Sequence, residues 1–262
     1  MTSTNAQISE YAEPPLTPFK PKKLLLILLA GILSAVAASL MSLLYESMDN
    51  TVHGTEDVEG KLKTPMLGIL PLVQKNLLLN SPKNAIVPGS IKDDKGAFAE
   101  SIRTIRTGIS LGELQALKQV IMVTSAVPSE GKSTLASNLA YSLSHLEDVL
   151  LIECDMRRPS LHKSFDLPKK FGLAQLLSGQ ERFIDCIKLN VAGDLDVIPA
   201  GDIPDKPLEL LSSRRMKHLI DQMKKRYDRI ILDCAPVQAV SDALLLGTYA
   251  CLLYTSPSPR DS

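Results

Sequence analysis

Residues 120–134 read Val-Ile-Met-Val-Thr-Ser-Ala-Val-Pro-Ser-Glu-Gly-Lys-Ser-Thr. The first six, Val120 to Ser125, are a short β-rich run, and the stretch from Ser133 to Ser144 has helical composition. Between them lie Pro128 and Gly131, residues that break regular structure. A strand, a loop, and Gly131-Lys132-Ser133 opening a helix make a phosphate-binding loop of relaxed form, with Ala126 in place of its first glycine. In such a loop successive backbone N–H groups and the positive end of a helix surround anionic oxygens, and Gly131 lets the backbone approach without a Cβ in the way. Lys132 is expected at the β- and γ-phosphate oxygens of ATP, Ser133 at Mg²⁺ through its hydroxyl, and Thr134 near the α-phosphate. Glu130, Gly131, Lys132, Ser133 and Thr134 are thus the candidate nucleotide contacts. The competing reading is an ordinary strand-turn-helix junction, against which the flanks on both sides speak.

Further strands are expected at Asp148–Cys154, Leu195–Ala200 and Arg229–Cys234, separated by helical stretches. Alternation of this kind predicts an α/β domain with a doubly wound, mostly parallel sheet. Two of these runs end in carboxylates. In Glu153-Cys-Asp155-Met-Arg157, alternation places Glu153 and Asp155 on one side if the strand continues. Arg229-Ile-Ile-Leu-Asp233 is an apolar strand ending in Asp, a form that holds Mg²⁺ directly or through water. Taken singly, an aspartate at a strand end serves equally well as a cap or turn residue. Ser133, Asp155 and Asp233 together are the candidate metal set.

Toward the N-terminus, Leu24 to Tyr45 contains no charged residue in 22 positions. As a helix it would run about 33 Å, enough for a hydrocarbon core of about 30 Å. A buried core helix or a cleaved signal peptide are the alternatives, but the run is long and late for the latter. Lys20, Lys22 and Lys23 precede it, and Glu46, Asp49, Glu56, Asp57 and Glu59 follow, which by the positive-inside rule would leave the C-terminal part outside. A nucleotide site needs the opposite side, where ATP and Mg²⁺ are available, so the C-terminal domain is expected in the cytoplasm. Residues 46–95, with Pro65, Pro71, Pro82 and Pro88, have linker composition, and the globular domain is expected over 96–250.

Bulk properties of the 262 residues exclude some classes. Lys plus Arg equals Asp plus Glu at 29 each, so no charge excess points to nucleic acid. The four cysteines are widely spaced without a Cys-x-x-Cys pair, giving neither a zinc pattern nor a disulfide framework.

On these motifs the chain resembles the bacterial tyrosine kinases, whose catalytic domain is similar to the MinD/ParA ATPases. The resemblance covers Ile8 to Ala250. Ser125-Ala-Val-Pro128-Ser-Glu130-Gly131-Lys132-Ser133-Thr134 is similar to the kinase form of the loop, departing at Ser129, where the family has glycine. Val127 stands where MinD-type ATPases carry a signature lysine, which favours the kinase. Glu153-Cys-Asp155-Met-Arg157 is similar to the family's D-x-D-x-R motif with the first Asp replaced by Glu. Asp233-Cys-Ala-Pro236-Val resembles its D-T-P-P-V segment, and Asp242 also matches. The resemblance makes Lys132, Asp155 and Arg157 catalytic, with Asp155 orienting or deprotonating the tyrosine hydroxyl near Mg²⁺. Glu100, Arg103 and Arg106 resemble an E-x-x-R-x-x-R helix that implies ring-like self-association and phosphorylation between neighbours. Spacing alone reads that face as solvated. Pro204-Asp-Lys-Pro207-Leu-Glu209-Leu-Leu211 is similar to a family segment to which no chemistry is assigned.

Residues 1–23 resemble the periplasmic end of a chain-length determinant domain, the part of a polysaccharide co-polymerase before its second membrane helix. That resemblance implies a longer natural protein. Residues 251–262 resemble a translated sequencing adapter, so the sheet is expected to lack strands beyond Ala250. The implied activity is ATP-dependent tyrosine phosphorylation, on neighbouring copies of the same chain, coupled to polysaccharide polymerisation and export at the inner membrane. The alternatives are a nucleotide-dependent membrane adaptor without transfer, and a partitioning-type ATPase.

Overall fold

The computed structural model describes residues 23–48, 67–71, 96–111, 119–250 and 252–256. The chain divides into two compact units, Met1–Asp57 and Val58–Ser262. In the first, helix α1 (Lys23–Met48) contains the apolar run. Its segment Lys23–Tyr45 has a mean hydropathy of 2.6 and buries none of its apolar window within the protein, so by length and composition it can cross a membrane. The hydroxyls of Ser34 and Ser39 donate back to the carbonyls of Gly31 and Ala35, each at 2.9 Å. Such back-bonding satisfies both hydroxyl donors without water.

The second unit is built on a six-stranded sheet in the order β3-β4-β2-β5-β1-β6. Its strands are β1 (Val120–Ser125), β2 (Val149–Glu153), β3 (Lys188–Ala192), β4 (Leu195–Ile198), β5 (Arg229–Asp233) and β6 (Leu252–Ser256). All neighbours are parallel except β3 and β4. Every residue of β1, β2 and β5 is buried, because helices cover both faces. The twofold period of a strand divides each of them between two cores. Val120, Met122, Leu150, Ile152, Ile230 and Leu232 face one core. Ile121, Val123, Val149, Leu151 and Ile231 face the other.

Helices α2 (Ala97–Leu111), α3 (Lys132–Ser144) and α4 (Leu161–Ser164) supply the second core with Ile102, Ile105, Ile109, Leu135, Leu139 and Leu161. Helices α5 (Leu173–Ser178), α7 (Pro207–Leu211), α8 (Arg214–Met223) and α9 (Asp242–Leu246) supply the first, and the short α6 (Phe183–Cys186) precedes β3. Helix α8 starts where Ser213 caps it, the hydroxyl accepting from the Met216 N–H at 3.2 Å.

The expected strands at 120–125, 149–153, 195–198 and 229–233 are present, and the parallel, doubly wound order follows from their helical crossovers. Three features differ from expectation. Strand β3 is short and nowhere fully buried, with Leu189 and Asn190 exposed and Asn190 at φ +51°, so its brief alternation marks no buried face. Its signal was the two-residue Gly193-Asp194 turn into β4, with Gly193 at φ +60°. Residues 67–71 lie in the expected linker, yet Leu67 and Leu70 pack on the second core. A Cβ on Gly68 would stand 3.0 Å from Ile105. The remainder of the linker's 46–95 span falls outside the described residues, apart from the end of α1. Finally, Leu252–Ser256 pairs in parallel with β1, extending the sheet past the expected boundary at 250. The outer edge of β1 would otherwise present a row of unpaired backbone groups, and ladder pairing asks little of side-chain identity.

Candidate active site

The carboxyl ends of β1, β5 and β2, three adjacent strands, open into one cavity of about 640 Å³. In open parallel sheets this end is where ligands bind. The loop 126–131 leaves β1 and turns into α3. Two of its residues adopt left-handed backbone, Ser129 at φ +71° and Gly131 at φ +86°. Glycine adopts this conformation freely, whereas a residue with a Cβ is strained in it. A Cβ on Gly131 would meet no protein atom within 4 Å, so the space beside it is an open cradle. Inside the loop the Glu130 carboxylate accepts from the Ala126 and Val127 N–H groups at 2.9 and 3.2 Å. Glu130 therefore shapes the loop with its side chain. The Ser125 hydroxyl donates to the Val127 carbonyl at 2.9 Å. Thr124 at the end of β1 donates to the Ala235 carbonyl at 2.8 Å, tying the segment after β5 to the loop. Helix α3 begins at Lys132, and its first N–H groups have no intrahelical acceptor.

Lys132 is 9% exposed, and its ammonium gathers the candidate residues around it. It stands 2.8 Å from Asp155 Oδ2, 3.8 Å from Asp233 Oδ1 and 3.3 Å from the Ser133 hydroxyl. Burial works against its charge, but the Asp233 and Asp155 carboxylates outweigh that and hold its proton affinity above the ordinary lysine value. Ser133, Thr134, Asp155 and Arg157 line the same cavity. The metal set expected from sequence, Ser133, Asp155 and Asp233, is thus brought together around one ammonium.

Asp233 is fully buried, and neither of its oxygens has a hydrogen-bond partner. Burial pushes its carboxyl upward, while Lys132 and the Ser133 hydroxyl pull the other way, the hydroxyl lying near without meeting hydrogen-bond geometry. A buried carboxylate whose oxygens lack hydrogen bonds, with the Lys132 ammonium no nearer than 3.8 Å, is costly unless something else completes it. A divalent cation, or water held by one, fits the unbonded oxygens of Asp233, and the phosphate of a nucleotide fits the cradle at Gly131.

Glu153 behaves differently. Strand β2 ends at this residue, so the alternation that would have set Glu153 beside Asp155 does not continue. Its Oε1 accepts from the backbone N–H groups of Ser160 and Leu161, and its Oε2 from that of Ala200 at 2.9 Å. Burial raises its carboxyl to about 7, against the pull of those three N–H groups. The longer side chain reaches past the cavity to fasten α4 and the end of β4. It is an architectural residue here and supplies no free oxygen to a metal.

Arg157 is held at the rim by a bidentate pair with Asp242 at the start of α9, Nε to Oδ2 at 2.9 Å and Nη2 to Oδ1 at 3.2 Å. The two are 85 positions apart, so no local motif announced the pairing. Arg158, Ser160, Ser164, Ala239 and Val240 also line the cavity without having been singled out by any motif. The E-x-x-R-x-x-R residues lie on α2, away from this cavity. Glu100 pairs with Arg103 at 3.3 Å, and Arg106 donates to the Ser142 carbonyl at 3.0 Å in the last turn of α3. A cation there complements the negative end of that helix. A second cavity, of about 490 Å³, lies among Leu176, Leu177, Phe183, Arg214, His218 and Met223 and touches none of these groups.

A family profile described as an AAA domain matches residues 118–251. The tyrosine-protein kinase YwqD of Bacillus subtilis is 37% identical over 179 residues, covering 68% of this chain and 74% of its own length. The tyrosine-protein kinase ptk of Acinetobacter johnsonii is 33% identical over 249 residues, which is 94% of this chain and 34% of that protein. This chain accordingly spans about a third of the length of several curated relatives. Among solved structures, the kinase domain of the Escherichia coli tyrosine kinase ETK superposes with a TM-score of 0.73 at 26% identity, over 81% of this chain and 85% of that one. The chimerical protein CapA2B2 gives 0.69 at 32% identity, over 79% and 88%. With the phosphate loop, the carboxylate set and these relatives in agreement, the chain belongs to the family of bacterial tyrosine-protein kinases.

Proposed function

We propose that the chain carries the catalytic domain of an ATP-dependent protein-tyrosine kinase, anchored in the bacterial inner membrane by α1 and working in polysaccharide polymerisation and export. The observation that carries the reading is the convergence of Lys132, Ser133, Asp155 and the unsatisfied Asp233 at the mouth of the phosphate loop. Residues 1–23 are read as the end of a preceding chain-length determinant domain, with the catalytic domain on the cytoplasmic side.

The loop N–H groups, Lys132 and Thr134 would hold the phosphates of ATP, and Ser133, Asp155 and Asp233 would hold Mg²⁺. A bound divalent cation supplies neutralisation of phosphate charge and a fixed geometry for transfer. For its part, Lys132 must leave Asp155 to reach a phosphate, which frees a carboxylate oxygen at the moment the substrates assemble. In the transfer, the tyrosine oxygen bonds to the γ-phosphorus as the bond to the bridging oxygen breaks; ADP departs and the phenolic proton passes to Asp155. The pairing with Asp242 holds Arg157 in the lining of the cavity, where its charge would lie near bound phosphates. Self-association through Glu100, Arg103 and Arg106 would present a tyrosine of one copy to the site of the next.

Purified full-length protein in detergent should transfer labelled phosphate from ATP to tyrosine, and Lys132→Met should lower the rate about a hundredfold or more. Undiminished transfer by that variant would overturn the site. ATP binding without phosphotyrosine selects a nucleotide-dependent adaptor, and phosphate release without tyrosine labelling selects a partitioning-type ATPase.

A further inference from the structure

Two neighbouring arginines line the cavity, and their circumstances differ. The Arg157 guanidinium is clamped by Asp242. Arg158 is exposed and lines the same cavity, and its guanidinium has no ion pair or hydrogen bond among the described residues. Its place is nevertheless fixed, because its backbone N–H donates to Asp155 Oδ1 at 3.0 Å. A fixed backbone carrying an uncommitted cation beside the Asp155 carboxylate has a charge to offer an incoming group.

The cationic character continues outward from there. Ser160 and Ser164 line the cavity, so α4 runs along its rim, and this helix carries His162 and Lys163. After it come the exposed Lys169 and Lys170. From 157 to 170 the chain has five Arg and Lys residues against one acid, Asp166. Burial first, and then Lys163 and Lys169, disfavour the protonated form of His162, so both ammonium groups stand near that ring. The phosphates of a nucleotide are already provided for at the loop, and the strip on α4 and beyond lies outside the cradle. A charged extended chain entering over this rim would meet it.

We infer that Arg158 and Lys163 form a docking rim for acidic residues flanking the acceptor tyrosine, so that the favoured substrate is an acidic protein segment. The inference rests on the kinase reading for its acceptor, but not for its binding surface. Rim charges of this kind act on encounter and on affinity at low salt more than on the chemical step.

The test uses the full chain in detergent micelles with two peptides identical except that glutamates around a central tyrosine are replaced by glutamine. Binding is read by fluorescence anisotropy with a non-hydrolysable ATP analogue present, and transfer by phosphotyrosine with ATP. The wild-type chain should prefer the acidic peptide by about tenfold in binding and in KM, with kcat little changed, and the preference should shrink in high salt. Lys163→Glu with Lys169→Glu, both outside the cavity lining, should remove most of the preference and favour a lysine-flanked peptide, while the KM for ATP stays within about twofold. Equal binding of the two peptides to the wild-type chain overturns the inference, as does a variant whose defect falls on ATP. A binding preference without any phosphotyrosine keeps the rim and defeats the kinase reading instead.

Discussion

The ends of β2 and β5 lie side by side, and Glu153 and Asp233 are partners in register across them. Both side chains are fully buried, and both are carboxyls whose burial favours the proton. Glu153 is met by three backbone N–H groups, whereas Asp233 is met by none. One carboxylate fastens the fold and the other keeps its oxygens free of hydrogen bonds. Neither sequence position nor burial separates the two roles; the count of hydrogen-bond donors does.

Breaking the Glu153 side of this pair should cost the most. Glu153→Ala leaves the Ser160, Leu161 and Ala200 N–H groups buried without an acceptor, and should lower unfolding stability by about 3–5 kcal/mol in a urea titration. A loss below about 1 kcal/mol would mean those groups find water. The pH dependence sharpens the same point. The Glu153 carboxyl rises from an ordinary 4.5 to about 7 in the fold, so between those values the folded chain binds a proton that the unfolded chain has released. Stability should therefore fall as pH rises through this window, by up to about 3 kcal/mol. The burial of Asp233 acts with the same sign. Thermal midpoints of the wild type measured from pH 5 to 8 should decline more steeply than those of Glu153→Gln, which has no proton to lose.

The Asp233 side should break function while sparing the fold. Asp233→Asn should slow phosphate transfer about a hundredfold, roughly 2.7 kcal/mol, with the thermal midpoint held or raised. A large loss of stability would make Asp233 architectural after all. The smallest effect lies in the loop that follows β1. Ser129 holds φ +71°, so Ser129→Gly should stabilise the chain by up to about 1 kcal/mol, the relief of a strained Cβ offset in part by glycine's greater freedom when unfolded.

Much of this molecule was legible without coordinates. Strands β1, β2 and β5 are largely apolar runs, since a parallel strand buried on both faces admits little else. Lys132 and Ser133 were legible because a phosphate loop is a local structure, in which spacing along the chain fixes spacing in space. Strand β3 was not, because a short edge strand with no fully buried residue takes its conformation from its partner β4. The pairing of Arg157 with Asp242 was likewise out of reach of any local pattern.

The sequence by itself determined the α/β class, the phosphate loop at 126–134, the apolar helix and the three carboxylates at or just past the ends of β2 and β5. These are written in short-range order, through apolar periodicity and the spacing of a few residues about a glycine. Only the tertiary structure decided what each carboxylate does. Whether Glu153, Asp155 or Asp233 keeps an oxygen for a ligand depends on which N–H groups and ammonium groups the folded chain brings within 3 or 4 Å, and those donors come from residues 160, 161, 200 and 132. Hydrogen bonds and ion pairs are short-ranged in space, so their assignment waits until distant parts of the chain are packed together.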